Sequence, residues 1–448
     1  MNSVLAFLAL AIGITIAVMI PDDGQPALIF LIALTALAGL LIYSIGLERR
    51  FLLHIFLVGL LLRVLVGALI YRFDLQAFFG GDAFTYDSYG YLLSHSWLYG
   101  STFADEWFTT GGGGGWGMIY IVGAVYSIVG RNMLAVQFLN AVLGAATAPI
   151  IFLCAHHLFG NVKVSRASAY LVGLYPSLIL WTSQGLKDSP IIFLLALSML
   201  ATLKLGEKLN LKYFLILIVA LFGILSLRFY IFYMLVVAIG GTFVIGQRAI
   251  SAKSLARQFI IVIGLGLAFT YLGVSQTAST QIENFATLEA VQNSRETQSR
   301  LANTGFAEDV DVTTTSGALT AIPIGLTYLL FAPFPWQLLN LRQSITLPEM
   351  IVWWCSFPLL VLGLWFAIKY RLRQVLPILI FTVMLTLAYA LVQGNIGTAY
   401  RQRSQLLIFY FMFVAVGLAL LGEVREAQRQ HAKSEKDAVL ARRGAPKI

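Results

Sequence analysis

Charged residues are scarce in this chain of 448 residues: Asp, Glu, Lys and Arg make up only 11% of it, whereas hydrophobic residues make up 59%. A water-soluble fold does not need so much apolar surface. The apolar residues form long continuous runs instead of a two-residue alternation, which excludes a transmembrane β-barrel. Helices, in contrast, satisfy their own backbone hydrogen bonds in lipid. The composition therefore predicts an all-α, polytopic membrane protein.

Cysteine is nearly absent as well, and the two cysteines, Cys154 and Cys355, each lie within an apolar run. This pattern indicates neither a disulfide framework nor a thiolate metal site. The net charge of +9 does not indicate nucleic-acid binding, because the basic residues are spread between the predicted helices. The residues identify no cofactor, and they leave a divalent cation as an open alternative.

Apolar runs close to the length that a bilayer core requires predict twelve transmembrane helices. The first run has no basic segment before it and no small-residue cleavage site, so we expect a retained helix rather than a signal peptide. The predicted helices cover residues 3–20, 27–46, 51–70, 133–156, 166–182, 189–205, 212–226, 229–246, 257–274, 350–368, 374–392 and 404–421.

The basic residues predict the orientation of these helices. With the N-terminus in the cytoplasm, the inner segments hold 20 of the 30 Lys and Arg residues and 6 of the 21 acids. The outer segments then hold 9 basic residues and 15 acids. This asymmetry follows the positive-inside rule. We therefore expect a multi-pass protein of the plasma (inner) membrane with both termini in the cytoplasm.

Two further apolar runs, 116–130 and 318–331, are too short to span comfortably, and a crossing by either would place basic loops outside. We expect both to form interfacial or re-entrant helices within long external loops. The predicted organisation is two additional N-terminal helices in 1–50, a core in 51–274 with its first external loop at 71–132, a second external loop at 275–349, C-terminal helices in 350–421 and a basic cytoplasmic tail in 422–448.

The polar residues that are unusual for such a chain fall on the predicted external side. Ionisable groups at membrane depth are costly, so they often mark functional sites. These residues are Asp82 and Asp87 in the first external loop, Asp188 at the start of a predicted helix, Arg228 within a long apolar stretch, and Arg401 and Arg403 before the last predicted helix.

Each of these residues also has a purely structural interpretation. Asp82 and Asp87 are compatible with solvated loop acids, and Asp188 with an acid that stabilises a helix N-terminus. The arginines are compatible with anchors that extend to lipid headgroups. Arg63, which lies well inside the third predicted helix, is expected to pair with an acid or to extend to the interface.

Taken together, carboxylates and guanidinium groups at the external membrane surface suit one reaction in particular. Arginine binds a lipid-borne phosphate with fork geometry, and a carboxylate can deprotonate an acceptor hydroxyl or amine. Aromatic side chains such as Tyr86 and Trp336 offer flat faces to sugar rings and isoprenyl chains. The combination indicates transfer of a sugar from a polyprenyl-phosphate carrier.

Three stretches carry a family resemblance: GGDAFTYDSYGYL after the third predicted helix, LFGNVKVSRASAYLVGLYPSLILWTSQGLKDSPIIFLLAL, and GTAYRQRSQLLIFY. By their order and spacing, the chain resembles the GT-C superfamily of integral-membrane glycosyltransferases, in the group of protein mannosyltransferases and lipid A aminoarabinose transferases. The resemblance implies an inverting transferase whose active site faces the external, periplasmic side. Its donor would be a polyprenyl-phosphate sugar, its acceptor a lipid, glycan or protein, and its surroundings membrane lipids, with no nucleic acid.

The resemblance places the family's catalytic acid on Asp82 and a second acid on Asp188. The residues expected to bind substrate are Asp87, Tyr86, Arg228, Trp336, Arg401 and Arg403. The chain departs from the group in three respects: two helices precede the one that matches the family's first helix, a large soluble external domain is absent, and the loop 275–317 has no counterpart.

Two other functions stay open. A polysaccharide polymerase or ligase of the O-antigen type would rely on arginines in external loops, and Arg295, Arg300, Arg401 and Arg403 fit that requirement. A lipid or sugar transporter would show repeats and polar residues near the midplane. Here the unusual polar residues gather at one face instead.

The predicted orientation can be tested by cysteine labelling. Thr110→Cys should react with a membrane-impermeant maleimide from outside, and Asn210→Cys only after permeabilisation, because the basic loops face the cytoplasm. The reverse pattern at either position would contradict the orientation.

Overall fold

The computed structural model describes residues 3–100, 115–245, 252–271, 287–300, 304–306, 310–338 and 341–444. Within these residues the regular structure is helical, apart from one isolated β-bridge between Gly305 and Asn395. The predicted all-α, polytopic fold class is therefore confirmed. The α-helices are α1 (Ser3–Met19), α2 (Pro21–Ser44), α3 (Arg49–Arg72), α4 (Gln76–Phe79), α5 (Asp82–Tyr99), α6 (Gly117–Val129), α7 (Met133–Phe159), α8 (Val162–Leu174), α9 (Pro176–Thr182), α10 (Asp188–Glu207), α11 (Leu211–Leu227), α12 (Phe229–Ile245), α13 (Ala252–Tyr271), α14 (Leu288–Arg300), α15 (Thr315–Phe331), α16 (Leu341–Val392), α17 (Ile396–Gln402) and α18 (Ser404–Gly444).

Asparagine begins several of these helices. The side-chain oxygen of Asn132 accepts a hydrogen bond from the Ala135 backbone N–H at 2.9 Å, and Asn161 and Asn210 cap α8 and α11 in the same way. An asparagine at this position satisfies backbone donors that the first turn of a helix leaves free. Asn395 caps the seven-residue helix α17, which bears one of the candidate site residues.

Six described helices are long and apolar enough to cross a membrane, namely α2, α3, α7, α10, α16 and α18. Shorter apolar helices accompany them, namely α1, α6, α11, α12, α13 and α15. Each predicted span coincides with one of these helices, with one arm of α16, or with α8 and α9 together. The chain is an integral membrane protein.

Two apolar stretches are interrupted at defined residues. The predicted helix 166–182 is in fact two helices, because α8 ends before Pro176, whose ring disfavours helical backbone at the preceding residue. Arg228 separates α11 from α12 with an extended backbone (φ −151°, ψ 93°). This break falls between the predicted helices 212–226 and 229–246.

Helix α16 consists of two arms that fold back on each other. Arg371 between them has non-helical backbone angles. The ring of Trp353, in the first arm, lies 6.4 Å from that of Tyr410 in α18, and the Thr386 hydroxyl oxygen, in the second arm, lies 2.5 Å from the Tyr410 hydroxyl. Arms that separate at one residue and both return to Tyr410 must run antiparallel, so they correspond to two of the predicted spans.

The first predicted external loop contains a helix that the sequence did not predict. Helix α5 begins at Asp82 and runs antiparallel to α6, so closely that a Cβ on Gly90 would lie 2.4 Å from Val122 Cγ1. The glycines and acids of this stretch favoured irregular structure. Packing against the predicted helix α6 overrides that preference, because burial contributes more than helix propensity.

Helix α15 packs against one end of the α16 hairpin. A Cβ on Gly325 would lie 1.8 Å from the carbonyl oxygen of Ala390, near the end of the second arm of α16. The indole nitrogen of Trp353, in the first arm, donates to the Leu330 carbonyl at 2.6 Å. Both contacts are at the same end of the α16 hairpin.

Among the described residues Arg63 pairs with no acid, and it is buried instead of extending to the interface, contrary to both expectations. It is 1% exposed, and its guanidinium donates to the Thr182 hydroxyl at 2.7 Å and to the carbonyls of Gly173 and Gly59 at 2.8 and 2.9 Å. The Gly173 carbonyl is free because Pro176 and the break after α8 interrupt the helical ladder there. A buried guanidinium thus satisfies the backbone of a broken helix.

The close packing of α16 on α18 depends on glycine. A Cβ on Gly363 would lie 1.8 Å from the Phe413 carbonyl oxygen, so Gly363→Ala should force the helices apart and lower the free energy of unfolding by about 1–3 kcal/mol. Gly39→Ala in α2 is the matched control, since no atom lies within 4 Å of its added methyl group. Thermal melts in detergent measure both, and equal melting temperatures would contradict the contact.

Candidate active site

A short connection at one end of the bundle, residues 183–187 between α9 and α10, is fixed by buried amides. The side-chain nitrogen of Asn140 donates to the carbonyls of Gln184 and Leu186 at 2.6 and 2.8 Å. The Gln76 side chain donates to that of Gln184 at 3.1 Å, and Gln137 donates to Gln76 at 3.0 Å. Buried polar groups need such partners. The network thereby holds the first residue of α10 in a defined position.

That first residue is Asp188, whose side chain is fully buried and pairs with two arginines. Its Oδ2 accepts from Arg401 Nε at 2.7 Å, and its Oδ1 lies 3.4 Å from Arg228 Nη2. Asp188 is also the acid in the first turn of α10, where a negative charge stabilises the helix N-terminus, so its structural interpretation holds alongside the two arginine contacts. A buried carboxylate between two guanidinium groups is a charge-assisted arrangement.

Arg401 connects this buried acid to a second, more exposed one. Its Nη1 donates to Asp82 Oδ2 at 2.9 Å, and its guanidinium lies 5.8 Å from the centre of the Trp181 ring. Burial lowers the pKa of Arg401, but the carboxylates of Asp188 and Asp82 more than offset this and raise it. Asp82 keeps 54% of its side chain exposed, and among the described residues its Oδ1 has no hydrogen-bond partner.

Two cavities meet at Arg401 and Thr398. The smaller cavity, of about 330 Å³, is polar: Asp82, Lys187 and Arg228 line it together with those two residues. The larger cavity, of about 600 Å³, has a more apolar wall; it includes Phe78, Phe79, Leu180, Trp181, Pro333, Ile345 and Ile396, with amide and hydroxyl groups from Thr304, Gln343, Thr346 and Asn395. Arg401 and its partner Asp82 therefore lie where the polar cavity meets the more apolar one.

The structure thus brings together four of the residues singled out from the sequence, namely Asp82, Asp188, Arg228 and Arg401. Tyr86 lies one turn after Asp82 on α5. Burial, and secondarily the charge of Asp82, raises the pKa of Tyr86 to about 12. Tyr86 is half-buried and does not line either cavity among the described residues.

Asp87 lies apart from this cluster. Its carboxylate accepts hydrogen bonds from Arg131 at 2.5 Å and from the Tyr126 hydroxyl, and Arg131 stacks over the ring of Tyr91 at 4.9 Å. Asp87 is 9% exposed and lines neither cavity. These contacts join α5 to α6, so the sequence-based assignment of Asp87 to substrate binding, and its alternative as a solvated acid, do not match the position observed.

Arg403 and Trp336 also lie outside the cluster. The guanidinium of Arg403 is buried and donates to the carbonyls of Leu329, at 2.6 Å, and Ala332. Trp336 is 77% exposed and stacks on Phe334 with 5.0 Å between ring centres. Neither side chain lines a described cavity. Arg403 stabilises the end of α15, and it cannot bind a phosphate without breaking its hydrogen bonds to the two carbonyls.

The arginines that would favour a polymerase are also held elsewhere. Arg295, on α14, is 4% exposed and donates to the Leu391 carbonyl at 3.0 Å. Arg300 pairs with Glu296 one turn away on the same helix at 3.0 Å. With Arg403, three of the four arginines named for that function thus have structural partners.

Two residues of the polar cavity were not predicted from the sequence. Lys187 directly precedes Asp188, and burial and the charge of Arg228 lower its pKa to about 8. The Tyr230 hydroxyl accepts from Arg228 Nη1 at 2.8 Å and lies 3.4 Å from the hydroxyl of Tyr389. Their proximity to Asp188 and Arg228 in the chain was the available signal. As for a metal, no group of three or more His, Cys, Asp or Glu side chains in the described ranges is arranged to hold one.

Residues 115–273 match the model of the dolichyl-phosphate-mannose-protein mannosyltransferase family. The match includes Lys187, Asp188 and Arg228, whereas Asp82 and Arg401 lie outside it. No curated protein matches the chain. The family match agrees with the resemblance seen in the sequence. In residues 115–273 the chain has a membrane-embedded GT-C type glycosyltransferase domain, of the kind found in the dolichyl-phosphate-mannose-protein mannosyltransferase family.

Proposed function

We propose that this protein transfers a sugar from a polyprenyl-phosphate donor to a lipid, glycan or protein acceptor at the external face of the membrane. The family match supports sugar transfer, and the distribution of Lys and Arg supports the external side. One observation carries the proposal: Arg401 is held between Asp82 and Asp188 where the polar cavity joins the apolar one. An amphiphilic donor with a charged phosphate and an isoprenyl chain requires both environments.

Asp82 acts as the general base in this proposal. Its exposed Oδ1 accepts the proton of the acceptor hydroxyl while Oδ2 stays bound to Arg401. The acceptor oxygen then bonds to the anomeric carbon of the sugar. The bond from that carbon to the phosphate oxygen breaks, and its electron pair stays on the phosphate. A single displacement of this kind inverts the configuration of the sugar.

The same proton transfer prepares Arg401 for the leaving group. The donor phosphate changes from a diester with one negative charge to a monoester with two. Protonation neutralises Asp82, which weakens its ion pair with Arg401 Nη1. The Arg401 guanidinium is then available to the phosphate as negative charge develops on the phosphate in the transition state. Stabilising that charge in the transition state lowers the barrier to transfer.

Asp188 has a different role from the catalytic one implied by the resemblance. Its side chain is fully buried and both oxygens face arginines, so it reaches neither cavity directly. We assign it as a positioning residue that fixes Arg228 and Arg401. The walls of the larger cavity, with Phe78, Phe79 and Trp181, offer apolar contacts to an isoprenyl chain.

Asp82→Asn tests the base. The variant keeps the shape and an oxygen for Arg401 but cannot take a proton, so single-turnover sugar transfer should slow by about a hundred- to ten-thousand-fold. Glu48→Gln is the control, since Glu48 is also paired with an arginine, Arg166 at 2.6 Å, but at the opposite end of the bundle. Thermal melts establish that both variants fold. A folded Asp82→Asn protein within about threefold of the wild-type rate would contradict the assignment.

Arg401→Lys tests the phosphate contact. Lysine keeps the charge but replaces the fork that joins Asp82, Asp188 and the leaving phosphate, so the transfer rate should fall by at least about tenfold. Arg300→Lys, on the exposed surface of α14, should retain wild-type turnover. If Arg401→Lys also retains it, the phosphate is bound elsewhere.

A further inference from the structure

Among the residues that the structure describes, Lys187 is the cation of the polar cavity that lacks a carboxylate partner. Arg228 and Arg401 both bind Asp188. Lys187 lines the same cavity, and no described residue forms a hydrogen bond or ion pair with its ammonium group. An ammonium group has three N–H donors, and leaving them unmatched in a largely buried position is costly. The position is therefore one that a bound anion would stabilise.

The neighbouring backbone leaves space for this lysine. Gly115 has φ +105°, a conformation that side-chain-bearing residues rarely adopt. A Cβ at this position would lie 3.3 Å from Lys187 Nζ. Glycine at position 115, the last of five consecutive glycines, thus allows both the turn and the approach of the ammonium group.

A second unmatched donor belongs to the same cavity. Arg228 is 7% exposed, and its Nε has no hydrogen-bond partner among the described residues. The charges in and beneath the cavity are three cations, Lys187, Arg228 and Arg401, against two carboxylates, Asp82 and Asp188. One positive charge is in excess, and Lys187 is the cation that no described carboxylate neutralises by contact.

We propose that Lys187 is a substrate-binding residue whose ammonium group contacts the phosphodiester of the isoprenyl-linked donor. This inference rests on the proposed function, since it takes the donor to be such a lipid. A lysine supplies a compact point charge with rotatable donors, which complements the planar forks of the two arginines. It also lets the site hold the singly charged phosphodiester before Asp82 has released Arg401.

The protonation of Lys187 gives this contact a signature. Burial and the charge of Arg228 lower its pKa to about 8, while Asp188 opposes the change. The anion binds the protonated form, so affinity should be nearly constant below about pH 7 and should fall as the pH rises through 8. The other charged or titratable groups of the cavity that the structure describes are Asp82, Arg228, Arg401 and Tyr230. Arginine side chains stay protonated between pH 7 and 9.5.

Binding of a probe that does not titrate in this range tests the inference. The probe is the methyl phosphodiester of a ten-carbon isoprenol, and its Kd is measured with the full-length protein in detergent at pH 7 and pH 9.5. Wild-type protein should bind about tenfold more weakly at the higher pH, as expected for the loss of one charge-assisted contact. Lys187→Met should bind about tenfold more weakly already at pH 7 and show little pH dependence.

Lys187→Arg separates a charge contact from a structural role. Arginine keeps its charge at pH 9.5, so this variant should restore binding to within roughly threefold and remove the pH dependence. Lys208→Met, an exposed lysine at the opposite end of α10, should behave as wild type. Wild-type affinity in Lys187→Met, or no probe binding by the wild type, would overturn the proposal.

Two further comparisons identify the source of the phosphodiester and keep the two proposals apart. A short-chain phosphatidylglycerol has the same charge as the probe. Equal, Lys187-dependent binding of that lipid would overturn the donor assignment and indicate a general phospholipid contact. Sugar transfer is assayed separately. Lys187-dependent probe binding without transfer would contradict the proposed function alone, and transfer unaffected by Lys187→Met would contradict this inference alone.

Discussion

The buried carboxylate of Asp188 is the interaction on which the candidate site depends. Two guanidinium groups that approach each other in a low-dielectric interior repel, and removing each from water costs several kcal/mol. Asp188 offsets both terms for Arg228 and Arg401 at once. Without it, two buried charges would lack their common partner. The position of α17 and the break at Arg228 are compatible with the fold because this acid lies between them.

The surrounding network of polar side chains holds Asp188 in position. The connection 183–187 is not helical, so its buried backbone carbonyls lack helical hydrogen bonds, and Asn140 satisfies two of them. Gln76 ties the same connection to the chain just before Asp82. Arg63 likewise donates a hydrogen bond to a backbone carbonyl that lacks a helical partner, at the helix break before Pro176. Amide and guanidinium donors therefore replace the helical hydrogen bonds that this end of the bundle gives up.

The helices were predictable from the sequence because each depends on a property of its own segment. An apolar run of sufficient length forms a helix in lipid whatever lies beside it. The helix breaks lie before Pro176 and at Arg228. The sequence predicted the break at Arg228 but not the one before Pro176. Helix α5 was missed because its stability comes from packing on α6, which no local pattern of glycines and acids reveals.

The candidate site was predictable only in part, for a related reason. Charges at membrane depth are rare, which singled out Asp82, Asp188, Arg228 and Arg401. Their pairing is not encoded locally. Arg401 and Arg403 are two residues apart, yet the turn between α17 and α18 directs one to the acids and the other to the backbone at the end of α15. The sequence offers no period that distinguishes them.

Asp82 and Arg401, which are in direct contact, are separated by 319 positions in the chain. Helices enter a membrane in the order of their synthesis, so Asp82 and Asp188 are in place long before the arginine that joins them has been made. The pairing is therefore the last part of the site to form. A chain that stops before α17 would contain the whole of the matched domain, residues 115–273, and would still lack the arginine that completes the candidate site.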